Sequence, residues 1–184
     1  LDRWVESGVR GLASNPSIFQ KAIQGSAEYD DEFTSSIESG MDVEASYWQL
    51  VTSDIRAALG ILRPIYDESQ GLDGYVSVEV DPALARNSEG TTTAARELHG
   101  RLSEPNLYVK IPGTAEGLLP IQTMISEKRS INVTLIFSLE RYAEVMEAYI
   151  AGLEAADGNL QDISSVASFF ISRLDVEVDR RLNA

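Results

Sequence analysis

Three short runs decide most of what this chain can fold into. In VSVEVD (76–81), Val76, Val78 and Val80 alternate with Ser77, Glu79 and Asp81. In NLYVKI (106–111), Leu107, Val109 and Ile111 alternate with Tyr108 and Lys110. In SINVTLIF (130–137), Ile131, Val133 and Leu135 alternate with Asn132 and Thr134. Successive side chains of a strand point to opposite faces, so each run has one aliphatic and one polar face. An amphipathic segment with helical spacing follows each run. Alternating strands and helices build right-handed βαβ units around a parallel sheet. In an open sheet covered by helices on both sides, both faces of a central strand are apolar. Here three successive strands keep a polar face, which must look into a space that is enclosed yet polar. The interior of a (β/α)8 barrel, beneath its mouth, is such a space.

The rest of the chain extends the pattern. GVRGLAS (8–14) reads as a first strand, and Asn15-Pro16 as the turn that starts a helix. A helical insert spans about 26–66. Within it Tyr47, Val51, Ile55, Ala58 and Leu62 step by three and four, and Pro64 is expected to end that helix. Ala94, Ala95, Leu98 and Leu102 share a helical face; the helix after Lys110 is bent or delayed by Pro120. Ser138 caps a helix carrying Leu139, Tyr142, Met146, Tyr149 and Leu153. ISSVASFF then reads as a strand and RLDVEVDRRL as a helix. With no repeat, low-complexity tract or linker, residues 1–184 are expected to form a single α/β domain of about five βα units. A glycine-rich dinucleotide fingerprint and a phosphate-binding Gly-Lys-Ser/Thr loop are both lacking, which weighs against a doubly wound nucleotide-binding sheet.

Composition narrows the partners. Fifteen Lys and Arg against 29 Asp and Glu give a formal charge of −14. Such a surface repels nucleic acid and anionic membranes, so neither is an expected partner. A phosphorylated substrate needs a local basic group to receive it. No apolar run reaches the roughly 18–20 residues that span a bilayer, and no signal-peptide pattern opens the chain. Cysteine is absent and His99 is the one histidine. Disulfides and thiolate sites are excluded, a reducing cytoplasm is compatible, and no transition-metal centre is expected. His99, between Glu97 and Arg101 in a helix, reads as a surface residue.

Several polar residues admit chemistry. Lys110, desolvated on an inward face, suits a Schiff-base nucleophile; its alternative is an ion pair with Glu79 or Asp81. Glu79 suits a general acid/base acting through a water, or the lysine's structural partner. Asn132 and Thr134 suit hydroxyl or water binding, or mutual hydrogen bonding. Asn15 reads as a helix cap that could also meet substrate. Ser168 and Arg173 follow the last strand. Arg173 suits a phosphate ligand, or a solvated charge paired with Asp175 or Glu177.

GLASNPSIFQKAI, VSVEVDP, NLYVKIPGT, SINVTLIFS and VASFFISRLD resemble, in order, the strand-end motifs of transaldolases, and span about Gly11 to Leu182. The long helical insert resembles that of the longer bacterial members rather than the short fructose-6-phosphate aldolase-like ones. The resemblance implies a (β/α)8 barrel and a cofactor-free transferase of the pentose phosphate pathway. Its substrates would be sedoheptulose 7-phosphate or fructose 6-phosphate and an aldose phosphate. Lys110 would form the Schiff base, and Glu79 and Thr134 would hold a catalytic water. Asn15 and Asn132 would bind the dihydroxyacetone hydroxyls, and Ser168 and Arg173 the substrate and its phosphate. The alternatives are an aldolase that releases dihydroxyacetone, or a non-catalytic barrel fragment. Ser14 stands where many members have Thr, and SFFISR replaces Ser-Pro-Phe-x-Gly-Arg. The family's Asp-bearing first strand and last two strands have no counterpart in these residues. The 184 residues are therefore expected to be part of a longer enzyme, inactive alone, in which homo-oligomer formation is also possible.

Overall fold

Strands form where the alternation is strongest: β1 (Leu12–Ala13), β2 (Val76–Glu79), β3 (Leu107–Pro112), β4 (Ile131–Ile136) and β5 (Ser165–Phe169). The computed structural model describes residues 1–183. They divide into two compact units, Leu1–Glu79 with His99–Leu107, and Val80–Leu98 with the chain from Tyr108 on.

In the first unit β1 and β2 are parallel, with Leu12 opposite Val76 and Ala13 opposite Ser77. The first strand is shorter than 8–14. Val9 N–H bonds the Trp4 carbonyl and Gly8 takes φ +100°, so these residues close helix α1 (Asp2–Glu6) instead of extending. Pro16 opens α2 (Pro16–Gly25), a short 3₁₀ turn covers Ala27–Tyr29, and α3 (Asp30–Glu38) and α4 (Val43–Glu68) follow. Asp42 Oδ1 caps α4 by accepting from Ala45 N at 2.8 Å.

Helix α4 does not stop at Pro64; it runs on to Glu68. The missing proline N–H leaves the Gly60 carbonyl without its helical donor. Gly60 and Pro64 are both exposed, so that carbonyl is not a buried unpaired group. Leu62 and Ile65, on either side, are buried and hold the helix to its core. Asn106, fully enclosed, adds a second anchor. Its Nδ2 donates to the Leu59 carbonyl (3.1 Å) and to the Gly74 carbonyl (2.9 Å), and its own carbonyl accepts from Val76 N (2.9 Å).

Gly74 is needed twice over. Its φ is +81°, and a Cβ there would lie 2.4 Å from Tyr66 N. Gly74→Ala therefore combines left-handed strain with backbone overlap and should cost about 1–3 kcal/mol, seen as a lower midpoint in chemical denaturation. In the same unit Tyr29 Oη donates to Asp54 Oδ2 at 2.7 Å. That bond, with burial and the Asp54 charge, pushes the phenol up to about 12. The folded state thus keeps its proton longer than the unfolded chain. The stability this adds is complete below pH about 10, the unfolded value, and is lost as pH rises through the folded one. An ultraviolet titration should show a late tyrosine component that Asp54→Asn shifts to lower pH.

In the second unit β3, β4 and β5 are parallel neighbours in chain order. Val109 lies opposite Ile131, Lys110 opposite Asn132 and Pro112 opposite Thr134; Ile131 lies opposite Ser165 and Asn132 opposite Val166. Helices α6 (Leu118–Ser126), α7 (Leu139–Ala155) and α8 (Ser172–Leu182) belong here. Pro120 sits in the first turn of α6, where its missing N–H has no helical partner to lose. Helices α6 and α7 meet at Gly152, where a Cβ would lie 2.7 Å from the Gln122 carbonyl. Val109, Ile111, Ile121, Met124, Ile125, Ile131 and Val133 fill the core. Helix α5 (Ser88–Leu102) buries Thr91, Ala95, Leu98 and Leu102. His99 is half-buried rather than on the surface, with its Nε2 enclosed.

The alternation predicted for β4 fails at Leu135. Val133 pairs with Ala167 but Ile136 pairs with Phe169, so Thr134 and Leu135 together face Ser168. This is a β-bulge, and Leu135 takes φ +60°. Within each unit, successive strands are parallel neighbours with no reversal of order. That α/β order fits a (β/α)8 barrel and not a doubly wound sheet, whose order reverses at its switch point. Among the described residues no helix is long and apolar enough to cross a membrane.

Candidate active site

In the second unit, the polar face of β3 and β4 gathers three of the candidates. Lys110 is 8% exposed, Asn132 6% and Thr134 1%. Lys110 and Asn132 are register partners, and Thr134 stands opposite Pro112, two residues beyond the lysine. An amine so withdrawn from water requires polar surroundings. Val80 N–H donates to the Lys110 carbonyl at 3.3 Å, which fixes the lysine's backbone on its other side. Further down the same face, Tyr108 Oη lies 2.6 Å from Ser164 Oγ.

Ser168 donates to Asn132 Oδ1 at 2.9 Å. The bond engages the Asn132 amide oxygen and helps to orient the amide. Ser168→Ala removes this donor from a buried acceptor. The expected cost is about 1 kcal/mol of stability, measured by denaturant titration.

The loop after β3 is closely packed. Thr114 Oγ1 donates to the Ala85 carbonyl at 2.6 Å and accepts from Gly117 N at 3.1 Å, while Ser88 Oγ donates to the Glu116 carbonyl at 2.5 Å. A Cβ on Gly117 would stand 1.9 Å from the Pro112 carbonyl oxygen. Both glycines of PGTAEG thus let the backbone fold back beside the lysine strand, and Gly113 N–H meets the Thr134 carbonyl at 2.7 Å.

Arg173 begins α8 and is exposed. Its guanidinium does not pair with Asp175 or Glu177. It lies 4.6 Å from the centre of the Phe170 ring, and Glu177 is taken by Arg180 and Arg181. Phe170 packs in turn on Phe137 at 5.4 Å. Stacking leaves the guanidinium edge, with its N–H groups, open to an anion.

In the first unit Asn15 caps α2, its Oδ1 accepting from Ile18 N at 3.0 Å. The cap uses the oxygen and leaves the NH₂ outside it. Ser14, next to it, is tied to the β2 backbone through its Oγ, which donates to the Ser77 carbonyl at 2.9 Å. Glu79, half-buried at the end of β2, lines with Asn15 and Ser14 a cavity of about 10 Å³, the size that admits one water. Tyr47 and Trp48 of α4, packed edge to face at 5.6 Å, close it. Sequence reasoning placed Tyr47 on a helical core stripe and passed over Trp48. Nothing local shows that α4 begins beside the ends of β1 and β2. Among the described residues, no cluster of three or more His, Cys, Asp or Glu is placed to hold a metal ion.

The sequence matches the family described as transaldolase/fructose-6-phosphate aldolase over residues 1–184. It is 49% identical over 177 residues to Transaldolase 1 of Streptomyces avermitilis, an alignment covering 95% of this chain and 47% of that protein. It is 49% identical over 177 residues to a transaldolase of a Parafrankia species, covering 95% of this chain and 48% of the other. It is 48% identical over 181 residues to the transaldolase of Thermobifida fusca, covering 97% and 49% respectively. The chain thus spans about half the length of the curated relatives it matches.

Proposed function

The chain belongs to the transaldolase/fructose-6-phosphate aldolase family, and from that premise we propose that the protein is a transaldolase working through an imine on Lys110. The observation that carries the reading is the enclosed lysine on β3, in register with Asn132 and beside Thr134. A lysine amine attacks the C2 carbonyl of a ketose phosphate, and loss of water gives a protonated imine. The C3–C4 bond then breaks. Its electron pair moves toward the imine nitrogen, the C4 hydroxyl proton is removed by a base, and an aldose phosphate leaves. The enamine left on the lysine attacks the aldehyde of a second aldose phosphate, and hydrolysis frees the new ketose and the amine.

Each remaining residue has a role in this proposal. Thr134 and Glu79 hold the water that moves protons during imine formation and hydrolysis. Asn132, with its amide oxygen engaged by Ser168, and Asn15, whose oxygen caps α2, donate through their NH₂ groups to the dihydroxyacetone hydroxyls. Arg173, held on Phe170, meets the phosphate, which compensates locally for a surface of net charge −14. The reaction uses no cofactor, and its substrates are sugar phosphates of the pentose phosphate pathway. The proposal extends to one barrel domain containing residues 1–184, to a cytoplasmic location and to assembly as a homo-oligomer.

Borohydride reduction of the full-length protein with fructose 6-phosphate, followed by peptide mass mapping, tests the reading. A reduced three-carbon adduct is expected on the peptide carrying Lys110, and none in Lys110→Ala. An adduct on another lysine, or no adduct in the unaltered protein, would sink it.

A further inference from the structure

Four non-glycine residues among those described have positive φ. Gln70, Ser103 and Lys128 follow the ends of α4, α5 and α6, where a left-handed residue commonly terminates a helix. Leu135 is different. It sits inside β4 at φ +60°, and a branched side chain gains nothing from that conformation. The surroundings over-determine it. On one side of Leu135 the Thr134 carbonyl accepts from Gly113 N at 2.7 Å; on the other the Ile136 carbonyl accepts from Phe170 N at 2.9 Å. The Gly113 backbone is pressed against the same place: a Cβ there would lie 3.1 Å from Ile136 Cγ1 and 3.3 Å from the Thr134 carbonyl oxygen. Across from the bulge is Ser168, the residue that bonds Asn132. Bulges of this kind re-aim the side chain next to them, and the neighbour here is Thr134, 1% exposed.

We propose that Leu135 is a positioning residue: its left-handed backbone sets the direction of the Thr134 hydroxyl relative to Lys110 and Asn132. The inference rests on the reading of Lys110 as the imine-forming residue. Conformation, rather than bulk, is what Leu135 contributes. Two substitutions therefore separate the two causes in opposite directions. Asn is polar and smaller but tolerates a left-handed backbone; Val keeps the apolar character but resists it through β-branching.

The experiment measures kcat and KM for dihydroxyacetone transfer in the full-length protein, with thermal midpoints alongside. Leu135→Asn should stay within about threefold of the unaltered enzyme. Leu135→Val should lose about 10- to 100-fold in kcat, the scale of a sub-ångström to ångström misplacement, with KM nearly unchanged. Added to Thr134→Ala, Leu135→Val should cost almost nothing more, because both changes act on one hydroxyl. If Leu135→Val does not fold, Leu135→Ala, which adds no bulk and prefers negative φ, takes its place with the same ordering. A fully active Leu135→Val, an inactive Leu135→Asn, or losses that multiply in the double variant would overturn the proposal. Trapping on Lys110 in the unaltered protein separates the two levels. Trapping with normal Leu135→Val turnover removes Leu135 alone; no trapping removes the imine reading and this inference with it.

Discussion

An amine in the middle of a β-strand, shut away from water, is the constraint on which the second unit depends. Lys110 is buried on β3 at 8% exposure, and an ion taken out of water is costly without polar neighbours. The neighbours come from the adjoining strand: Asn132 in register with the lysine and Thr134 two positions on. β4 keeps its register with the lysine strand through Thr134, and with β5 through Val133, before the bulge at Leu135 shifts it against β5. Ser168, opposite the bulge, holds the Asn132 amide oxygen. Local strain at Leu135 and order around the lysine are thus two ends of one arrangement.

The aliphatic faces supply the rigidity. Val109, Ile111, Ile131 and Val133 are buried, as are Ile121 and Met124 of α6 and Val145 of α7, and the two helices approach closely at Gly152. Glycine recurs where backbone must touch backbone: Gly74 against Tyr66, Gly117 against the Pro112 carbonyl. Each removes a side chain at a crowded point, and the second lets the loop after the lysine strand fold back tightly.

Much of this was legible because it is local. Side-chain alternation in β2, β3 and β4 depends only on the pleat, so the polar face carrying Lys110, Asn132 and Thr134 could be read directly. The N-caps by Asn15 and Ser138 were legible for the same reason, since a cap is a contact three residues long. What escaped is set by distant partners. α4 continues past Pro64 because Leu62, Ile65 and Asn106 hold it, and Asn106 lies 47 residues from the carbonyl it binds. β1 is short because α1 claims Val9. The bulge at Leu135 is a mismatch between two strands, visible only once β5 is beside β4. Tyr47 and Trp48 join Asn15 and Glu79 around one small cavity, a meeting that no spacing in the sequence announces.

The central claim is that an enclosed lysine serves transfer, with the three-carbon unit retained on the protein until an acceptor arrives. It is tested most directly by following the full-length protein with fructose 6-phosphate, with and without erythrose 4-phosphate, by mass spectrometry of the products. The account predicts sedoheptulose 7-phosphate and glyceraldehyde 3-phosphate in equal amounts, with turnover that requires both sugars and no free dihydroxyacetone. Release of dihydroxyacetone at the same rate whether or not the acceptor is present would contradict it.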